Sequence, residues 1–184
     1  MPNEISLDKV KNGSRISVKV RVQKKEDIIN SINAKCDKDI DCLSKRDLMM
    51  FGIGLYLGEG AKTIESVRLI NSDPKVIKLA ILWFNHIFGV KKDNLTLHIH
   101  SYPDLNTDKL IAYWSDVTGI PKTQFGKTQI DTRINKHHGN KLPYGTVQLR
   151  VVSRGNSDFG VNLHRLIMGY INSVSEKSQK FDKI

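Results

Sequence analysis

The sequence predicts an α+β fold: helices cover one face of a mainly antiparallel sheet, and the other face is left open. Two kinds of segment carry that expectation. Leu95–Tyr102, Gly126–Ile134 and Gly145–Val152 alternate in polarity and read as strands with one apolar and one polar face. Pro74–Phe88 and Thr107–Thr118 have helical period and carry start and stop signals at their ends.

Each strand has its two faces in plain view. In LTLHIHSY, Leu95, Leu97 and Ile99 share one face, and Thr96, His98 and His100 the other. In GTVQLRVV, Val147, Leu149 and Val151 oppose Thr146, Gln148 and Arg150. In GKTQIDTRI, Lys127, Gln129, Asp131 and Arg133 line one side. A further short strand is expected over Val67–Asn71. The helix PKVIKLAILWFNHIF starts at Asn71-Ser72-Asp73-Pro74, with the proline at its first position, and stops at Gly89. TDKLIAYWSDVT is closed by Gly119 and Pro121. Ser157 or Asp158 is expected to cap a last helix that runs to Asn172. The connection NKHHGNKLPY is polar and basic.

The first 43 residues read differently. Ser14–Gln23 alternates, with Ile16, Val18, Val20 and Val22 on one side, and predicts a half-buried strand. A short helix over Lys24–Lys35 and a loop over Asp37–Asp41 follow. Residues 1–43 are thus an extension without an assigned role, 44–173 the main domain, and 174–184 a polar, frayed tail.

Composition limits the function classes. The 184 residues suffice for one good core. No apolar run approaches the ~20 residues of a membrane span, and MPNEISLDKVKNGSR lacks the apolar centre of a signal peptide. The expected location is intracellular, in the cytoplasm. Cys36 and Cys42, in CDKDIDC, lack the second closely spaced pair of a four-ligand zinc site and are read as free thiols. The formal net charge is +10. From Ile120 to Gly155 there are seven basic residues and a single acid, Asp131. Such concentration points to a polyanionic partner, and the open strand faces supply the donors that contact phosphates and base edges.

FGIGLYLGEGAK, residues 51–62, poses the sharpest question. Ser44, with Asp47 three residues on, starts a helix over about Lys45–Gly58 that is apolar yet carries Gly52, Gly54 and Gly58. Each interior glycine costs on the order of 1 kcal/mol relative to alanine. Gly54 and Gly58 stand four apart on one face, a spacing that admits a second helix very close. Glu59 stands at the helix end, so two such helices would bring two carboxylates together. That arrangement calls for a shared proton or a divalent cation.

GIGLYLGEG resembles a divergent LAGLIDADG motif, the signature of homing endonucleases and their relatives. Gly54 falls on the motif's first glycine, Gly58 where the family has a small residue, Glu59 on its metal-binding acid and Gly60 on its final glycine. LINSDPKVIK and YGTVQLR are similar to family segments in their usual places, and the resemblance spans about Leu43–Ser173. It implies a saddle-shaped sheet on double-stranded DNA and motif helices paired at the centre of a homodimer through Gly54, Leu55 and Gly58. It also implies Mg²⁺ or Mn²⁺ held at Glu59 and Gly58. Lys127 and Gln129 are then candidates to orient the attacking water. Lys62, Arg68, His98, His100, Lys127, Gln129, Arg133, Lys136, His137, His138, Lys141, Gln148, Arg150 and Arg154 are candidates for DNA contact.

The chain departs from the pattern in three ways. AKTIESVR is short, so the first hairpin is expected to be reduced; Thr107–Thr118 reads as an inserted helix; Leu57 occupies the motif's other acidic position. The function expected is a metal-dependent DNA endonuclease. The alternatives are a DNA-binding regulator that keeps the fold without cleavage and an RNA-splicing helper.

Overall fold

The structure is a computed structural model that describes residues 4–132 and 142–180, with side chains from residue 17 onward. The chain divides into two units, residues 1–43 and 44–184.

In the first unit a single helix, α1 (Glu4–Ile40), replaces the expected strand, short helix and loop. The period-two valines misled because a half-buried strand needs a sheet to join, and no strand is described before Arg68. A strand without a partner leaves its backbone groups unpaired, whereas a helix satisfies them within the segment. Every described side chain from residue 17 to 43 is exposed, Val18, Val22, Ile29 and Ile32 included. Cys36 and Cys42 are free and exposed.

The second unit is α+β. Its helices are α2 (Lys45–Glu59), α3 (Pro74–Phe88), α4 (Thr107–Thr118) and α5 (Val161–Ser178). Its strands are β1 (Arg68–Asn71), β2 (Leu95–Ser101), β3 (Gln129–Ile130) and β4 (Thr146–Val151), in the order β1-β4-β2-β3. β4 runs antiparallel to both neighbours, while β3 joins β2 in parallel.

Local chemistry sets the helix ends. The Ser44 side chain accepts from the Asp47 N–H, and the Asp47 carboxylate accepts from the Ser44 N–H at 2.9 Å, a reciprocal cap. The Ser44 hydroxyl, which donates to the Asp47 carboxylate at 2.6 Å, and then the Ser44 N–H hold Asp47 below the usual carboxylate range. Asp73 accepts from the Lys75 N–H at 2.8 Å ahead of α3, and Asn106 from the Lys109 N–H at 3.0 Å ahead of α4. Gly89 and Gly119 close α3 and α4 at φ 69° and 63°, conformations that favour glycine.

The last helix departs from expectation at both ends. It begins after Gly160 without a side-chain cap and extends past Asn172 to Ser178, so part of the expected tail is helical. Ser157 serves the preceding turn instead, its carbonyl accepting from Asn162 Nδ2 at 2.8 Å. The expected strand Gly126–Ile134 shrinks to Gln129–Ile130 among the described residues. Gly126 is held apart from the ladder: its N–H bonds to the Leu97 carbonyl at 2.8 Å, under the His98 ring. The first hairpin is reduced to an isolated bridge between Gly60 and Leu69.

The helices bury one face of the sheet. Leu69, Leu97, Ile99, Val147 and Leu149 meet Tyr56 of α2, Ile77, Trp83 and Phe84 of α3, Trp114 of α4 and Ile167 of α5 in one apolar core. Trp83 is its aromatic centre, with ring centroids 5.0 Å from Phe84, 5.1 Å from Phe88 and 6.1 Å from Tyr56.

The glycines of α2 divide into two kinds. A Cβ on Gly52 would stand 2.1 Å from the Trp83 indole, so glycine there is a packing requirement. A Cβ on Gly54 or Gly58 would meet nothing within 4 Å. Gly52→Ala is therefore expected to destabilise the chain by about 1–3 kcal/mol through overpacking. Gly54→Ala, under dilute monomeric conditions, is expected to raise stability by up to ~1 kcal/mol. Chemical denaturation of both variants checks the opposite signs; a Gly54→Ala variant that loses stability as a monomer would show an intramolecular role for that glycine.

Candidate nucleic-acid interface

Strand register arranges the outer sheet face in rows. Cross-strand partners point to the same side. Arg68 of β1, Arg150 of β4 and Thr96 of β2 stand abreast. Ile70, Gln148 and His98 form the next row, and Thr146, His100 and Gln129 of β3 the third. No carboxylate lies in these rows. Ile70, 41% exposed, is their one large apolar side chain.

The electrostatics of this face are unbalanced. Like charges directly across a ladder destabilise it, yet Arg68 and Arg150 are direct partners. Arg68 Nε donates to Ser66 Oγ at 3.1 Å. Arg150 Nε, His100 Nε2 and Thr96 Oγ1 are shielded from solvent and lack a partner among the described residues. A shielded polar group left unpaired costs on the order of 1–3 kcal/mol. Burial first, then the charges of Arg150, His100 and Arg68, lowers His98 below the ordinary imidazole value of 6.5. A ligand with acceptor oxygens and negative charge would relieve each of these.

Gly126 has a part in placing His98 that the sequence reading missed. A Cβ there would stand 2.1 Å from the imidazole, so the ring lies over the backbone only because position 126 is glycine. Lys127 and Gln129 are exposed. Arg154, also exposed, sits in the turn after β4 with φ 42°. Arg133, Lys136, His137, His138 and Lys141 lie outside the described residues.

The motif helix ends beside the opposite edge of the sheet. Glu59 is the last residue of α2 and is exposed. Just after it, Gly60 bridges Leu69, and the Ala61 N–H donates to the Arg68 carbonyl at 2.9 Å. The Ala61 carbonyl accepts from Tyr56 Oη at 3.0 Å and lies 3.1 Å from His164 Nε2 of α5. Burial pushes the Tyr56 hydroxyl up to about 12, so it stays a donor. Sequence reading took Tyr56 for core alone and passed over His164; neither has a local motif. Lys62 Nζ donates to the Leu57 carbonyl at 2.8 Å, so this candidate phosphate contact also serves the helix end.

Within one chain, the candidate catalytic residues are not gathered. Glu59 adjoins β1, while Lys127 and Gln129 belong to the β3 edge, three inter-strand steps and roughly 14 Å away. β1, the strand that adjoins the motif end, carries Arg68, and its partner Arg150 stands on β4. Among the described residues, no group of three or more His, Cys, Asp or Glu side chains is placed to hold a metal ion. One chain offers one carboxylate at the motif position, so a divalent site there would draw further oxygens from outside the chain.

No family model matches the chain, and no curated protein or solved structure matches it either. Among the described residues, no helix is long and apolar enough to cross a membrane.

The lowered His98 value makes a stability prediction. The unfolded chain takes up a proton near pH 6.5, before the folded chain does. The His98 contribution is therefore intact above that pH and is lost as pH falls below it. Denaturant midpoints at pH 7.5 and 5.5 should show a larger loss for wild type than for His98→Gln; equal losses would remove His98 as a source of acid sensitivity.

Proposed function

We propose that the chain is a double-stranded DNA endonuclease of LAGLIDADG type, acting as a homodimer with Mg²⁺ or Mn²⁺. One observation carries the reading: the open stripe on α2. Met50, Phe51, Gly54, Leu57 and Gly58 are all exposed at helical spacing, and the stripe ends at Glu59. Phe51 and Leu57 are 50% and 48% exposed. An apolar stripe interrupted by glycines that fill no intramolecular need suits a second copy of the same helix, with Leu55 at its margin.

Pairing through Gly54 and Gly58 would bring the two Glu59 carboxylates to one centre. With phosphate oxygens of the DNA they would hold the divalent cation, with the Gly58 backbone as a further candidate to hold it. Mg²⁺ characteristically takes one or two carboxylates plus substrate phosphates. When bound, the cation supplies Lewis acidity and an activated water. The chain's own groups bind and orient. Arg68 and Arg150 engage the backbone beside the scissile bond. Gln148, His98, His100 and Thr146 line the rows that read base edges. Lys127 and Gln129 contact DNA away from the Glu59 of their own chain.

A second reading, a regulator that binds DNA without cutting it, is favoured by one feature: the strand-face candidates Lys127 and Gln129 belong to the sheet edge opposite the one that Glu59 adjoins.

Glu59→Gln separates the two. Under the endonuclease reading, it should lower Mg²⁺-dependent cleavage of a supercoiled plasmid library by about 100-fold or more, with filter-binding affinity for DNA nearly unchanged. Wild type that binds a defined site and never cuts it with Mg²⁺ or Mn²⁺ would establish the regulator. A variant that cuts as fast as wild type would remove Glu59 from the chemistry.

A further inference from the structure

The charge of α1 is divided along its length. From Lys9 to Lys25 the sequence carries seven cations (Lys9, Lys11, Arg15, Lys19, Arg21, Lys24 and Lys25) and no acid. From Glu26 to Asp41 it carries five acids and two lysines. The basic half spans roughly 25 Å of helix axis at about 1.5 Å per residue. Lys19, Arg21, Lys24 and Lys25 are all exposed, and none of them forms a salt bridge among the described residues. At about 100° per residue Arg21, Lys24 and Lys25 fall within one sector of about 100° and Lys19 lies at least about 120° from it, so the charge is not confined to one face.

We propose that the basic half of α1 is a second DNA-contacting element, a helical arm that lies against duplex phosphates in addition to the sheet face. The inference rests on the DNA-binding reading above. Seven like charges on one uninterrupted helix repel one another, a cost that an isolated chain must carry and a polyphosphate removes. A duplex is the polyanion that fits. Its phosphates line both walls of the major groove, which suits a helix whose cations lie on more than one face. A membrane surface would be met by cations on one face and aromatic or leucine side chains on the other. α1 contains no aromatic residue and only one leucine, Leu7.

The test uses the full chain with Lys19, Arg21, Lys24 and Lys25 all replaced by Gln, which keeps helix propensity; circular dichroism checks retained helicity. Affinity for a random-sequence DNA duplex is measured across a salt series, alongside wild type and Arg68→Gln/Arg150→Gln. If all four cations meet phosphates, the slope of log K against log salt falls by about 3.6, at roughly 0.9 per contact. The dependence of affinity on salt between 50 and 200 mM then shrinks by about 100-fold. An unchanged slope for the α1 variant, with a reduced one for the sheet variant, overturns the arm and leaves the sheet reading intact. A reduced slope for the α1 variant alone supports the arm and overturns the sheet reading. Wild type that fails to bind the duplex at low salt overturns both. Binding to phosphatidylserine vesicles that the four substitutions abolish, with duplex affinity untouched, assigns the charge to a membrane and overturns the arm.

Discussion

Tyr56 is the joint on which the motif end of the molecule depends. Its ring is fully buried against Trp83 and edge-on to His164, 6.5 Å between centroids. Its hydroxyl donates to the Ala61 carbonyl and accepts from the Arg68 N–H at 3.4 Å. One side chain thus ties the last turn of α2 to the first residue of β1, and His164 adds α5 through the same carbonyl. Because Tyr56 is only three residues before Glu59, the backbone at Glu59 inherits a position fixed by the core. An acid at a helix C-terminus faces the negative end of the dipole, and the last turn of α2 holds no basic residue. The Lys62 ammonium on the Leu57 carbonyl offsets part of that field. The helix end is held by the Tyr56 packing and hydrogen bonds although the dipole disfavours an acid there.

The glycines of α2 show how one helix serves two surfaces. Gly52 turns inward and lets Trp83 lie on the helix backbone; Gly54 and Gly58 turn outward to open space. The inward glycine is explained within one chain by the indole it admits. The outward pair costs helix stability and leaves Phe51 and Leu57 half exposed, with no intramolecular return. The proposed self-complementary contact would answer both, since a two-fold interface presents the same patch from each copy.

Much of this architecture was legible in the sequence, for physical reasons that name its limits. α3 and α4 were readable to the residue because Asp73-Pro74, Asn106, Gly89 and Gly119 act locally, through a cap bond or a left-handed turn. β2 and β4 were readable because each has one buried and one open face, and the period is two. α1 was not, because Val18, Val20 and Val22 fit a strand only if a sheet exists for them to join. β3 was overestimated because alternation reports exposure and not pairing; its Gly126 is held by His98 and Leu97 instead. The outer-face donors were recognised as a class, but the adjacency of Arg68 and Arg150 is a matter of register between strands about 80 residues apart. The roles of Tyr56 and His164 were equally out of reach, since their shared acceptor at Ala61 exists only after β1 and α5 have docked.

That register also constrains any chemistry at the motif end. Lys127 and Gln129 are natural choices from the strand pattern, yet the order β1-β4-β2-β3 sends them to the far edge from Glu59. Within one chain, the cations beside Glu59 are Lys62 and Arg68, with Arg150 one strand further in. Arginine holds its charge throughout the physiological range and presents a planar fork to phosphate oxygens. Under the proposed function, the row of Arg68 and Arg150 would offer phosphate-binding groups, and the row of Gln129, His100 and Thr146 hydrogen-bonding groups suited to bases. A duplex lying across the rows would meet the two in sequence, backbone grip near the motif helix and base contact away from it. In a two-fold dimer joined at α2, the phosphate-binding edges would face each other across the axis, which is where two carboxylates and two scissile phosphates would need them.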